Sequence, residues 1–197
     1  MRALRILRCT ATAAVLWLAT GAAAQQHQYL EASKPLAPGA VSADGTQEIR
    51  WQDLIPKNWR PKTKLLGRKL QAMNDNDPEA LAFMRELQSE WDQAPTNPEL
   101  EGRLVKLPGY LVPLEEVKGE LKELLLVPYY GACIHVTPSP ANQIIHIVLA
   151  KPTKGFRTMD PVWISGKLIV SRQETDMATT GYRMDAASIA KYQPPAP

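Results

Sequence analysis

Cysteine and histidine are nearly absent from this chain of 197 residues: two cysteines, Cys9 and Cys133, and three histidines, His27, His135 and His146. A framework of internal disulfides is excluded, because domains held that way need several paired cysteines. No apolar run reaches the roughly 20 residues that a membrane-crossing helix requires. The most apolar stretch, "ATAAVLWLAT", stands near the N-terminus behind Arg2, Arg5 and Arg8 and ahead of "GAAA" and Gln25. That order of basic start, short apolar core and small residues is the pattern of a cleaved secretory signal, with the cut expected after Ala24. Cys9 precedes the apolar core instead of closing it, so a lipid anchor is not expected. The expected location is the periplasm, with the protein peripheral at most to the membrane.

A strong excess of charge is missing too. Lys+Arg number 23 against 20 Asp+Glu, a net +3, and the leader carries three of those arginines. Its removal leaves 20 of each sign (23 minus 3, against 20) in 173 residues (197 minus 24), a net charge near zero. A folded part without basic excess is a poor match for nucleic acid, which is not an expected ligand. Without Cys9, Cys133 has no internal disulfide partner, so an apolar core alone must hold the fold. The chain is long enough to do so as one domain.

Residues 25–45, "QQHQYLEASKPLAPGAVSADG", have no periodicity and read as a flexible N-terminal segment. Residues 46–95 read as an extension, beginning where Ile49, Trp51, Leu54, Ile55 and Trp59 offer apolar surface. It contains a helix at about 77–92, "DPEALAFMRELQSEWDQ". Asp77 suits the N-cap and Pro78 the first turn, Ala80, Leu81, Met84, Leu87 and Trp91 form a stripe, and the prolines of "APTNP" end it.

From 96 to 193 the texture is that of short strands. "EGRLVKLPGYLVPLE" reads as a strand kinked at Pro108-Gly109, "LKELLLVPYY" as a second, "QIIHIVLA" as a third, "PVWISGKLIVS" as a fourth and "GYRMDAASIAKY" as a shorter fifth. In the third, Ile145, Ile147 and Leu149 face one side, and Ile144, His146 and Val148 the other. Gly109 and Gly166 mark bends or bulges. The predicted class is mainly β: a small five-stranded antiparallel barrel with one preceding helix over an end or edge. An immunoglobulin-like sandwich is the alternative, though it needs about seven strands.

"LPGYLVPLE", "LLLVPYYGACIHVTPSPANQII", "DPVWISGKL" and "GYRMDAASIAKY" together resemble the DUF3299 family of exported bacterial domains of unknown function, over about residues 47–192. The resemblance implies an OB-like barrel and an association with ABC-type transport components, some linked to zinc supply. It brings no catalytic residues. The family favours a proline-rich run after the Cys-x-His, which Thr137, Ser139 and Ala141 interrupt here.

The central block "VPYYGACIHVTPSPANQ" admits several chemistries. On an extended chain Cys133 and His135 point to one face, and thiolate plus imidazole suits zinc or copper. His146 is the third candidate ligand, with acidic help from Glu115, Glu116 or Glu123. Cys133 and His135 can equally be packed side chains, since unpaired cysteine is among the most buried residue types. A thiol-dependent enzyme would need Cys133 activated by His135, and no second motif supplies an orienting group or oxyanion donors. Tyr129, Tyr130 and Gly131 can frame a shallow site for a ligand or partner, with Asn142 and Gln143 capping the loop. Tyr110 and Trp163 add aromatic surface, more in keeping with core and rim than with base stacking. The reading that follows is a binding module without catalysis, an accessory to an ABC-type transport system, with Zn as the possible ion. A metal-independent adaptor is the first alternative and a thiol enzyme the second.

Overall fold

The computed structural model describes residues 41–42, 45–60, 78–132 and 139–193. The leader, residues 25–40 of the N-terminal segment, the Asp77 cap, Cys133 and His135 lie outside them. The elements are β1 (Gln47–Glu48), α1 (Pro78–Asp92), β2 (Leu104–Val117), β3 (Glu120–Val127), β4 (Ile145–Thr153), β5 (Pro161–Glu174) and β6 (Thr179–Lys191), with single 3-10 turns at Trp51–Leu54, Pro98–Leu100 and Ala141–Gln143. None of the described helices is long and apolar enough to cross a membrane.

The sheet runs β1-β2-β3-β4-β6-β5, and a further β2–β5 pairing closes strands β2 to β6 into a five-stranded, OB-like barrel. Four of the barrel pairings are antiparallel, while β4 and β6 run parallel, Ile145 opposite Tyr182 through Leu149 opposite Ala186. The expected small, mainly antiparallel OB-like barrel with one preceding helix is what forms, and its one parallel pair has a reason of parity. Five strands in a closed ring cannot alternate direction all the way round, so one neighbouring pair must be parallel. The fifth strand, expected to be short, has 13 residues. Its hairpin with β5 extends the pairing from Val162–Lys191 to Glu174–Thr179.

Alternation along the strands fills the lumen. Val105, Leu107 and Leu111 of β2, Leu124 and Leu126 of β3, Ile145 and Ile147 of β4, Val162 and Ile164 of β5, and Met184 of β6 all lie buried in one cluster. The expected facing of β4 holds: Ile145, Ile147 and Leu149 join this cluster, while His146 turns outward. The two glycines expected at bends sit where backbone or side chains crowd. A Cβ on Gly166 would run into the Asp185 carbonyl beside a bulge in the β5–β6 ladder. One on Gly109 would meet Leu126 and the Trp51 ring at under 3.0 Å. Nearby, at Tyr110, β2 hands over from β5 to β3.

Outside the barrel, Ile49, Trp51 and Leu54 dock as expected and complete the lumen cluster. Trp51 Nε1 donates to the Pro108 carbonyl at 2.7 Å, and Tyr182 Oη donates to the Leu54 carbonyl at 2.7 Å while accepting from Asn97 N. Burial pushes the Tyr182 phenol up to about 12. Helix α1 buries Ala80, Phe83 and Leu87, whereas Leu81 is 52% exposed. The face is thus set by spacing from Ala80 through Phe83 and Leu87, and Leu81 falls off it because adjacent helical residues diverge by about 100°.

Candidate functional site

The connection from β3 to β4 is the longest between barrel strands. Its described residues Tyr129, Ala132 and Ile144 lie against the outer face of β2 and β3, not in the lumen. Val112, Leu125 and Val127 point outward there and form a second buried cluster with Ala132 and Ile144 of the connection and with Met159. Tyr110, Leu114, Tyr129 and Ala178 pack around it. Both ends of the connection are fixed. On the entering side, Gly131 N donates to Met159 Sδ at 3.3 Å. Ser139 on the returning side donates its hydroxyl to Tyr129 Oη at 3.0 Å, which ties the two limbs together. The segment 133–138, with Cys133 and His135, is therefore bracketed by Ala132 and Ser139, both buried.

Asn142 and Gln143 were expected to cap this loop locally. Gln143 does so, its Nε2 donating to the Asn142 carbonyl at 3.0 Å, and both residues also reach across the molecule. Asn142 Nδ2 donates to the Pro95 carbonyl at 2.8 Å, and Gln143 Nε2 to the Trp51 carbonyl at 2.9 Å. A buried carbonyl left unpaired by the extension costs more than a loop bond gains, so the amides serve the tertiary contact. Arg172 does the same for Ala94 at 2.9 Å.

His146 stands on the outer face of β4 with about 9% exposure. Its Nε2 is 2.9 Å from Glu123 Oε2 and its Nδ1 2.8 Å from Gln173 Oε1, so both ring nitrogens have partners. Glu123 also lies 3.8 Å from Lys122, which bonds Glu115 at 2.9 Å. To ligate a metal, His146 would have to give up Glu123 or Gln173. Among the described residues no group of three or more His, Cys, Asp or Glu side chains is placed to hold a metal.

A row of aromatic rings leads away from the connection. Tyr130, 62% exposed, meets Tyr110 edge to face at a centroid distance of 5.7 Å. Burial, the Tyr192 phenol and the Tyr130 phenol together raise the Tyr110 hydroxyl above its ordinary value. Tyr192 in turn lies 5.7 Å from Trp163, over which Lys106 holds its ammonium 4.4 Å from the ring centre. Strand pairing explains the order: Tyr110 faces Pro161, Pro108 faces Trp163 and Lys106 faces Ser165.

Residues 51–191 match the family described as protein of unknown function, DUF3299. The chain belongs to the DUF3299 family. It is similar to the crystal structure, at 2.45 Å resolution, of a DUF3299 family protein from Pseudomonas aeruginosa PAO1, with 35% sequence identity and a TM-score of 0.60 over 77% of this chain and 99% of that one. Among curated proteins nothing matches.

On this DUF3299 barrel, Tyr129, Tyr130 and Gly131 share the connection's entering limb, and Asn142 and Gln143 its buried returning limb. His146 belongs to a separate acid–imidazole–amide chain with Glu123 and Gln173. Glu116, offered as acidic help, is exposed on β2 opposite Leu121. Sequence reasoning missed Gln173, Met159 and Lys106. Each approaches its partner only through strand pairing or a distant turn, at sequence separations of 27, 28 and 57 residues from His146, Gly131 and Trp163.

Proposed function

We propose that this DUF3299 protein is an exported, non-enzymatic binding module acting through the β3–β4 connection, as an accessory to an ABC-type transport system. The observation that carries the reading is the pinning of that connection. The Ser139–Tyr129 bond, the Gly131–Met159 contact and the second cluster hold both limbs against the wall before any ligand arrives. Limbs held in this way lose little freedom when a ligand binds between them, which favours affinity. Oligonucleotide-binding OB barrels use the wall of their second and third strands and the loops after the first and fourth. Here the chain's own connection covers part of that wall, and the two loops are the tight turns 118–119 and 175–178. The association with transport rests on the family resemblance, and the periplasmic location on the leader.

Cys133 and His135 are the donors for a soft ion such as Zn²⁺ or Cu⁺, with water or a partner completing the shell. Titration of the purified protein with Zn²⁺ and with Cu⁺, followed by thermal unfolding, tests this. Stabilisation by at least one ion should vanish in both Cys133→Ser and His135→Ala. No response of the unchanged protein to either ion overturns the metal reading. The exposed Tyr130 favours a metal-independent adaptor as the second reading. Capture of the same envelope transporter by unchanged protein and by the Cys133→Ser/His135→Ala variant, with loss in Tyr130→Ala, would select it.

A further inference from the structure

The other end of the aromatic row opens into a cleft lined by none of the described residues of the β3–β4 connection. Strand β1 runs beside β2, and the Val41–Gln47 bridge folds a short turn against it. That turn forms one rim. The outer face of β5 and β6 forms the other. The space between them is about 340 Å³, lined principally by Ser42, Thr46, Lys106, Trp163, Ser165 and Ser188. This is at the lower end of small-ligand sites.

The chemistry of the lining has one sign. Its only formally charged residue is Lys106, and none of the ion pairs among the described residues uses that side chain. The Trp163 ring holds the ammonium at 4.4 Å, which fixes its position while leaving N–H groups to donate. Ser165 and Ser188 bond each other through their hydroxyls at 2.7 Å. One of their two protons is spent in that bond, and the other is available to a ligand. A placed cation and a hydroxyl donor beside an aromatic wall match an oxyanion attached to a ring. A neutral glycan would leave the ammonium uncompensated. A nucleic-acid strand would find one cation where several phosphates need partners.

We propose that this cleft binds a small ligand carrying a carboxylate or phosphate on a ring, with Lys106 and the Ser165–Ser188 pair on the oxyanion and the Trp163 ring against the body. Calorimetric titration of the purified protein with phenyl phosphate, benzoate, inorganic phosphate and benzyl alcohol tests it. At least one of the two ring-bearing anions should bind, more tightly than inorganic phosphate, and benzyl alcohol should not. The ratio of phenyl phosphate to benzoate affinity names the oxyanion. Lys106→Gln should weaken binding about tenfold or more, as expected for a charge-assisted contact, with the unfolding midpoint unchanged. Ser188→Ala, on an exposed position, should weaken it less, and added salt should weaken it in the unchanged protein. The Cys133→Ser/His135→Ala variant should bind as the unchanged protein does, which separates this site from the β3–β4 connection. Absence of binding by both ring-bearing anions overturns the proposal. So does equal binding of benzyl alcohol, or a Lys106→Gln protein that binds as before.

Discussion

Leu124 and Leu125 are neighbours on β3 and both are fully buried, yet they belong to different structures. Leu124 points into the lumen, where strands from the whole barrel converge. Leu125 points out, onto a wall that becomes interior where the ends of the β3–β4 connection, together with Met159 and Ala178, cover it. The lumen is closed by the ladder itself. The outer cluster is closed by a segment tethered at a few points, among them Tyr129–Ser139 and Gly131–Met159. A region of the second kind opens at lower free energy than the barrel, and binding segments are drawn from such regions. The outer wall where β2, β5 and β6 adjoin shows a third condition, with Trp163 and, from β2, Lys106 lining an open cleft.

Truncating the two leucines tests this contrast most directly. Leu124→Ala should cost toward the upper part of the range of about 2–5 kcal/mol, because the lumen cannot collapse onto the gap. Denaturant unfolding measures it. Leu125→Ala should cost about 2–3 kcal/mol, since the connection can settle inward. Alone of the two, it should raise the alkylation rate of Cys133 under native conditions. Equal costs and equal alkylation rates would dissolve the distinction between the two clusters.

Tyr182 joins barrel to extension, and Tyr182→Phe leaves the Leu54 carbonyl and the Asn97 N–H without their partner. The expected loss is about 1–2 kcal/mol. The phenol's folded value of about 12 lies above the ordinary 10.0. The unfolded chain therefore loses this proton first, and the stability it contributes is intact below pH 10 and declines as pH rises from 10.0 toward 12. Unfolding midpoints compared between the unchanged protein and Tyr182→Phe should converge over that interval; a constant gap would refute the assignment. Tyr130→Ala should be the mildest change, within about 0.5 kcal/mol, as its ring is mostly in solvent. A larger loss would mean that the Tyr110–Tyr130 contact is part of what holds the connection in place.

Much of the barrel was legible because alternation is local. The facing of Ile145, His146 and Ile147 follows from the pleat alone, and the strands in "LKELLLV" and "PVWISGKL" are marked by apolar runs between turn residues. The helix face was legible only in part, since both Leu81 and Phe83 are apolar and only the docked surface chooses between them. The long hairpin of β5 and β6 was underread because polar residues such as Gln173, Glu174 and Thr179 pair through backbone groups that any side chain permits. Asn142 and Gln143 looked like loop caps for the same reason in reverse: their amides can serve near or distant carbonyls equally well.

By itself the sequence determined the strand segments with their inward and outward faces and a barrel of the DUF3299 kind. Those are properties of neighbouring residues, written in hydropathy and spacing. Only the tertiary structure decided that β4 and β6 run parallel, that the ends of the β3–β4 connection cover part of an outer wall, that His146 pairs with Glu123 and Gln173, and that Lys106 meets Trp163 beside a hydroxyl-lined cleft. Each of these depends on ring closure and register, which bring together residues that no local pattern connects.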